Sequence, residues 1–354
     1  MALTIEEIEE IRAYLDHSFR PLFFFDDDPD GLSSFLLLYR YKKEGKGVVV
    51  KSSPELKTDY LKVVHEYVPD VIFILDKPLV SQEFLDSIHV PIIWVDHHTP
   101  VKRNNVRYYN PHLHDPADSR PVSYWSYKIV NNPKDIWIGT AGCLGDWFIP
   151  EFIEEFSKKY PEMLNRPLER PDEILFGTML GRFVQMLSFL LKGKKSIVDK
   201  NIKVLTRIES PYEILQQTTP RGKFLYRNYE PIKKNYDLLL EKAKKDILNK
   251  PEEEIIVFKY KDKHHSFTSD LSNELLYLFK NKVIVVGREK NGEIKCSIRS
   301  SQKPIREAVH KALKNIRGYG GGHNFACGAS MVIEDFDDFV NNLKDAIKKE
   351  SILT

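Results

Sequence analysis

Residues 21–40 run PLFFFDDDPDGLSSFLLLYR, an apolar stretch that breaks into acids and then resumes as a helix. Pro21–Asp26 is an unbroken apolar run, the pattern of a strand covered on both faces. Four acids, Asp26, Asp27, Asp28 and Asp30, crowd its carboxyl end, and Gly31 opens a helical pattern near Leu32–Glu44. The arrangement then recurs. Strands are expected at Gly47–Lys51, Val71–Asp76 and Val90–Asp96, with helices near Asp59–Glu66 and Ser81–Ile88 between them. Strand and helix in alternation imply right-handed crossovers and a parallel sheet. In such sheets ligands sit outside the carboxyl ends of the strands.

The acids at those ends carry the chemistry. Alternate residues of an extended backbone point the same way, so Asp26, Asp28 and Asp30 are placed to converge. Three carboxylates that close repel one another unless cations share the site. Hard oxygen ligands suit Mg²⁺ or Mn²⁺. An EF-hand is excluded, because the twelfth position counted from Asp26 is Leu37, not a bidentate carboxylate. Asp76 ends one buried run, and Asp96, His97 and His98 end the next, so three strand ends offer acids or imidazoles to one crevice. Asp146, in IGTAGCLGDWFIP, is a further acid in an apolar segment: a metal ligand or a helix cap.

A chain of 354 residues fits two domains, and 42% hydrophobic residues suffice for real cores. With 53 basic against 51 acidic residues, net charge says nothing of partners, and any basic surface is local. The three cysteines, Cys143, Cys296 and Cys327, form no CxxC pair, which excludes a zinc ribbon and suits a reducing cytoplasm. The start, MALTIEEIEEIRAYL, lacks the basic, apolar character of a signal peptide, and the apolar stretch Thr178–Leu191 is too short to span a bilayer. A cytoplasmic protein with no membrane partner is expected.

From Asp118 to Leu191 the pattern is helical, with Tyr124, Trp125 and Tyr127 as helix-packing aromatics or, alternatively, base-stacking groups near the site. Residues 192–250 are charged and helical, a connector whose basic run (Lys192 to Arg207) is either a solvated face or a lip for a phosphate backbone. A second α/β unit follows. It has strands IIVFKY, KVIVVGRE and EIKCSIRS, helices near Ser269–Lys280 and Ile305–Ile316, a glycine-rich loop at Gly318–Gly322, a last strand and a last helix.

These pieces together resemble the DHH phosphoesterase superfamily, which includes RecJ-like nucleases and short-oligonucleotide phosphodiesterases. Asp28-x-Asp30-Gly31, the lone Asp76, Asp96-His97-His98 and Gly145-Asp146 match its four motifs in order. Gly320-Gly321-Gly322-His323, preceded by EIKCSIRS, looks like the GGGH signature of the associated DHHA1 domain. The resemblance implies an α/β protein with an N-terminal parallel-sheet DHH domain (residues 1–191), a helical connector (192–250) and a smaller α/β DHHA1 domain (251–354). It implies that Asp28, Asp30, Asp76, His97 and Asp146 hold two Mn²⁺ ions, with Mg²⁺ as the alternative and Asp76 as the bridge. Asp96 matches a ligand or supporting carboxylate, and His98 an imidazole facing the scissile phosphate. Two such metals, about 3.5–4 Å apart, activate a water and stabilise both attacking and leaving oxygens. One position departs: Asp26 stands where members usually carry His, which implies either a metal preference shifted toward Mg²⁺ or a first site that binds less tightly. In the second domain the glycine run lets backbone N–H groups approach a phosphate. Arg299, Arg317 and His323 would add contacts to it.

The implied activity is a two-metal phosphodiesterase, an exonuclease on single-stranded or short RNA or DNA that releases nucleoside monophosphates. The rivals are a small-nucleotide phosphatase and a catalytically weakened binding subunit of a nuclease or replication complex. A protein partner in a replication or repair complex, and self-association, are both compatible with the sequence.

Overall fold

The computed structural model describes residues 3–51, 55–166 and 168–352. Close packing divides the chain into two units, Met1–Tyr229 and Glu230–Thr354. The boundary falls inside one long helix, Pro220–Leu248, which carries Pro231 within it. The stretch 192–250, expected as a connector, is helical, and its residues are divided between the two units.

The first unit is built on a five-stranded sheet. Its strands are β1 (Pro21–Asp26), β2 (Lys46–Val50), β4 (Val71–Leu75), β6 (Ile92–Val95) and β7 (Arg107–Tyr109). They lie in the order β2-β1-β4-β6-β7, every pair parallel. Two short strands, β3 (Glu55–Leu56) and β5 (Leu79–Val80), pair separately. The unbroken apolar runs follow from burial on both faces. Leu22, Phe24, Ile72, Ile74 and Trp94 point to one core with Val64, Phe84 and Leu85. Phe23 and Phe25 point to the other, where Phe35 of the helix Pro29–Lys42 stacks on Phe25 at 4.7 Å. That helix packs against Val122–Val130 and Ile136–Gly145. Gly142 permits the close approach, since a Cβ there would stand 2.5 Å from Ser123 Cβ and 2.6 Å from Ser33 Cβ. Tyr124, Trp125 and Tyr127 are buried in this layer.

From β1 the chain runs outward to β2, then crosses back to place β4 on the other side of β1. The sheet therefore has its topological switch point between β1 and β4, where a crevice opens at the carboxyl ends. β7 was not anticipated: three residues with one apolar end give too short a pattern to read.

The second unit holds β8 (Ile255–Lys261), β9 (Val283–Lys290), β10 (Glu293–Arg299), β11 (Gly318–His323) and β12 (Ala326–Val332), in the order β11-β12-β10-β9-β8. β8 and β9 are parallel and the other pairs antiparallel. The helices Arg306–Ala312 and Phe336–Ile352 supply Val309, Phe339 and Leu343 to its core. One expectation is corrected here. The glycine run is not a loop but the edge strand β11, with Gly320 opposite Ala329 and Gly321 opposite Gly328. The glycines serve strand contact, because a Cβ on Gly320 would lie 2.6 Å from Gly328 O and one on Gly322 2.4 Å from Ala326 O. Gly321 alone would meet nothing within 4 Å.

No single described helix is long and apolar enough to cross a membrane. The apolar helix Met179–Leu190 is mostly buried in the first unit's core.

Candidate metal centre

The carboxyl ends of β1, β4 and β6 deliver their acids to the switch-point crevice. Asp26 is the last residue of β1, and Asp28 caps the following helix, its Oδ1 accepting from Gly31 N at 2.9 Å. Gly31 has to be glycine, since a Cβ would fall 2.7 Å from Asp26 N. Asp30 is fully buried and accepts from Val122 N (2.9 Å) and Ser123 N (2.8 Å), tying the start of helix Val122–Val130 to the cluster. Asp76, just past β4, is buried with φ 57. A non-glycine residue in that left-handed region is strained, and such strain collects at functional sites.

Three groups of ligating atoms come together, each within 4.8 Å of one another: Asp26, Asp28 and Asp76; Asp30, His97 and Asp146; Asp76, His97 and His98. Asp76 and His97 each belong to two of them. Asp146 closes the second group from the C-terminal end of helix Ile136–Gly145, at its C-cap and one-quarter exposed rather than buried.

The electrostatics show what such crowding costs. Burial, then the charges of Asp146, Asp26 and Asp30, hold the Asp28 carboxyl well above its ordinary value. Asp76 is raised in the same way by burial and by Asp28 and Asp30. Asp30 is raised to about 6, again by burial first and Asp146 next. Burial opposes charge on His97, but the carboxylates of Asp146 and Asp76 overrule it and push its pKa up to about 12. His97 Nε2 stands 2.9 Å from Asp146 Oδ2 and 3.5 Å from Asp76 Oδ1, yet among the described residues Nε2 and Asp76 Oδ1 are buried without good hydrogen-bond geometry to a partner. Buried polar atoms left this way are costly. Acids and an imidazole crowded this closely in a buried crevice are what ligands of a shared cation look like. The donor set, oxygens with one or two imidazole nitrogens, fits Mn²⁺ or Mg²⁺.

Asp96 behaves differently. It is fully buried and belongs to none of the three groups. Its oxygens meet His98 Nδ1 (2.8 Å) and accept from His98 N, Tyr108 Oη and Asn110 Nδ2 (each 3.2 Å). Asp96 thus orients His98, whose ring is partly exposed. The sequence reading missed Tyr108 and Asn110, since they arrive on and just after the short strand β7.

It also missed Lys77. This side chain is fully buried beside Asp76, and its Nζ lies 2.8 Å from Asp26 Oδ1. Its backbone oxygen accepts from Trp94 Nε1 at 2.9 Å. Burial raises the Asp26 pKa while Lys77 opposes it. The departure at Asp26 therefore comes with a buried counter-charge. A lysine directly after a strand-end aspartate was the signal available in the sequence.

In the second unit the expected phosphate-binding residues scatter. Gly320, Gly321, Gly322 and His323 lie together on the edge strand β11, half-buried or exposed. Arg317 does not join them as an open guanidinium: Nε and Nη2 pair with Asp335 at 3.0 and 2.7 Å. Arg299 is committed to Asn273 Oδ1 (2.8 Å) and Cys327 O (3.2 Å). Two aromatics that the sequence reading passed over, Tyr319 (72% exposed) and Phe325 (47%), bracket the glycines instead.

Residues 246–349 match the family model of the DHHA1 domain. RecJ from Thermus thermophilus, solved with Mn²⁺, superposes with a TM-score of 0.67 at 15% identity, covering 99% of this chain and 56% of that one. The chain has a RecJ-like fold with a DHHA1 domain at residues 246–349. A second RecJ exonuclease structure, bound to manganese, gives a TM-score of 0.62 at 16% identity, covering 98% of this chain and 96% of that one. RecJ from Thermus thermophilus has also been solved with Mg²⁺. A pGpG-specific phosphodiesterase from Vibrio cholerae matches at 0.51 and 14% identity over 94% of this chain and 99% of its own. No curated protein matches the sequence. The chain thus spans about half the length of the Thermus RecJ and nearly all of the other.

Proposed function

We propose that this chain is a metal-dependent phosphodiesterase, an exonuclease on single-stranded or short RNA or DNA that releases nucleoside monophosphates. The observation that carries it is the convergence of Asp26, Asp28, Asp30, Asp76, His97 and Asp146 at the sheet's switch point, with ligating atoms 4.8 Å or less apart in each group. The RecJ exonuclease structures with Mn²⁺ or Mg²⁺ and the pGpG phosphodiesterase support the same reaction class by fold.

In this reading Asp28, Asp30, Asp76, His97 and Asp146 hold two Mn²⁺ or Mg²⁺ ions, and Asp26, with one oxygen on Lys77, is the weakest of the set. Bound there, the ions supply Lewis acidity and a nucleophilic water at neutral pH. The chain's own residues do the rest. Asp96 fixes His98 through Nδ1, which leaves Nε2 as the atom that holds or passes a proton at the phosphate. The partial exposure of His98 fits contact with substrate. On the second unit, the backbone N–H groups of Gly320–His323 that face away from β12 meet a phosphate, and Tyr319 and Phe325 stack on bases. Arg299 and Arg317 act in this reading by holding β10, β12 and Asp335 in place.

The test is to incubate the protein with Mn²⁺ and single-stranded RNA or DNA labelled at either end, beside Asp76→Asn. Asparagine tolerates the positive φ that alanine would strain. Mononucleotide release lost in the variant is the expected result and reveals polarity and sugar preference. Binding without cleavage, in Mn²⁺ and in Mg²⁺, points instead to a non-catalytic subunit.

A further inference from the structure

A second concentration of charge lies in the first unit, far from the carboxylates. An open basin of about 1030 Å³ is lined by Arg40, Lys43, Lys134, Lys159, Arg207 and Arg221. Half of its 12 lining residues are basic. Across the whole chain the share is 53 in 354, so the enrichment is local.

The basin is built rather than incidental. Arg40, the least exposed of the six, pairs with buried Asp135 at 2.7 Å and donates to Thr206 O and Ile208 O. Asn132 Nδ2 donates to the same Asp135 at 2.8 Å. One guanidinium thus ties two segments, 132–135 and 206–208, to its own helix and forms a neutral floor. The other five cationic heads are exposed around it. Lys159 Nζ and Arg221 Nη1 donate to backbone carbonyls, Pro133 O (2.8 Å) and Arg207 O (2.7 Å), which orient them without neutralising their charge. Apart from Asp135, Glu209 is the one carboxylate in the lining. Five like charges held around a concavity repel one another, and a multivalent anion relieves that repulsion.

The helix Pro29–Lys42 separates this basin from the metal centre. It starts at Asp28 in the carboxylate cluster and ends at Arg40 and Lys43 on the basin. Fourteen residues at 1.5 Å each set the two ends about 20 Å apart.

We propose that the basin is a second anion site for a compact ligand bearing two or more linked phosphates, such as a nucleoside polyphosphate. Its concave shape suits a nucleotide-sized ligand more than an extended strand, which a groove would track.

The probe is inorganic tripolyphosphate, titrated calorimetrically into the full chain in metal-free buffer containing EDTA. One equivalent should bind, ATP should compete with it, and the affinity should fall as salt rises from about 50 to about 200 mM. The surface double variant Lys134→Glu/Arg207→Glu should weaken binding at least about tenfold, whereas Asp76→Asn should bind like the wild type. The proposal is overturned if tripolyphosphate shows no saturable binding. It is equally overturned if the double variant binds as well as the wild type, or if a tetranucleotide binds there and tripolyphosphate does not.

Discussion

At the scale of single residues, Lys77 and Asp96 do the work that the acidic motifs alone would not reveal. A fully buried ammonium on Asp26 offsets a carboxylate that would otherwise add to an already crowded cluster. Removing one partner of a buried pair leaves the other uncompensated. Lys77→Met should therefore lower unfolding free energy by about 3 kcal/mol, the lower end for buried pairs because Asp26 is partly exposed. Asp26→Asn/Lys77→Met should recover much of that loss, as read by urea unfolding of the metal-free protein. Equal losses in both variants would mean the pair is not coupled. Asp96→Asn should cost activity without costing metal: phosphodiester hydrolysis falls roughly 100-fold or more, while Mn²⁺ binding by calorimetry stays within error. A matching fall in Mn²⁺ affinity would make Asp96 a ligand after all.

At the scale of elements, β11 shows a motif working through strand geometry. Its glycines let the edge strand lie close on β12, and Tyr319 and Phe325 stay exposed beside them. Tyr319→Ala/Phe325→Ala should weaken single-strand binding by about 1–3 kcal/mol per lost base stack and leave tripolyphosphate binding untouched. Fluorescence anisotropy with a labelled oligonucleotide reads this, and unchanged affinity would remove both rings from the substrate path. The neighbouring Arg317–Asp335 pair holds the Asp335 pKa down to about 2. A depressed carboxylate contributes stability above its unfolded value near 4 and loses it as pH falls toward 2. Asp335→Asn should accordingly cost its small, solvent-screened increment at pH 7, and that cost should shrink as pH falls from 4 toward 2, which flattens the acid limb.

At the scale of the whole molecule, the parallel sheet explains why carboxylates from distant segments meet at all. Each strand ends on the same edge, and the reversal of strand order between β1 and β4 opens the crevice they line. Several of those carboxyls are raised by burial and mutual repulsion, so a cation that binds only the folded form should stabilise the protein. At Mn²⁺ about 100-fold above its dissociation constant the gain is about 2.7 kcal/mol per site. A thermal melt should rise on adding Mn²⁺, fall back with EDTA, and respond far less in Asp76→Asn. A melt indifferent to Mn²⁺ and Mg²⁺ would remove the metal centre and with it the proposed hydrolysis.

The features legible in the residues alone are local and periodic. Unbroken apolar runs dictate buried parallel strands, and the acids just past Phe25, Leu75 and Val95 inherit the carboxyl edge from strand direction alone. The type of chemistry follows, because carboxylates and imidazoles that close require a cation. Tertiary structure decided the partners. Lys77 reaches Asp26 across 51 residues of sequence, Arg317 turns to Asp335, and Tyr108 and Asn110 reach Asp96 from a strand too short to announce itself. The glycine run became a strand rather than a loop because β12 was there to pair with it. Periodicity reports the face a side chain points from, and only the packed fold reports which group stands opposite it.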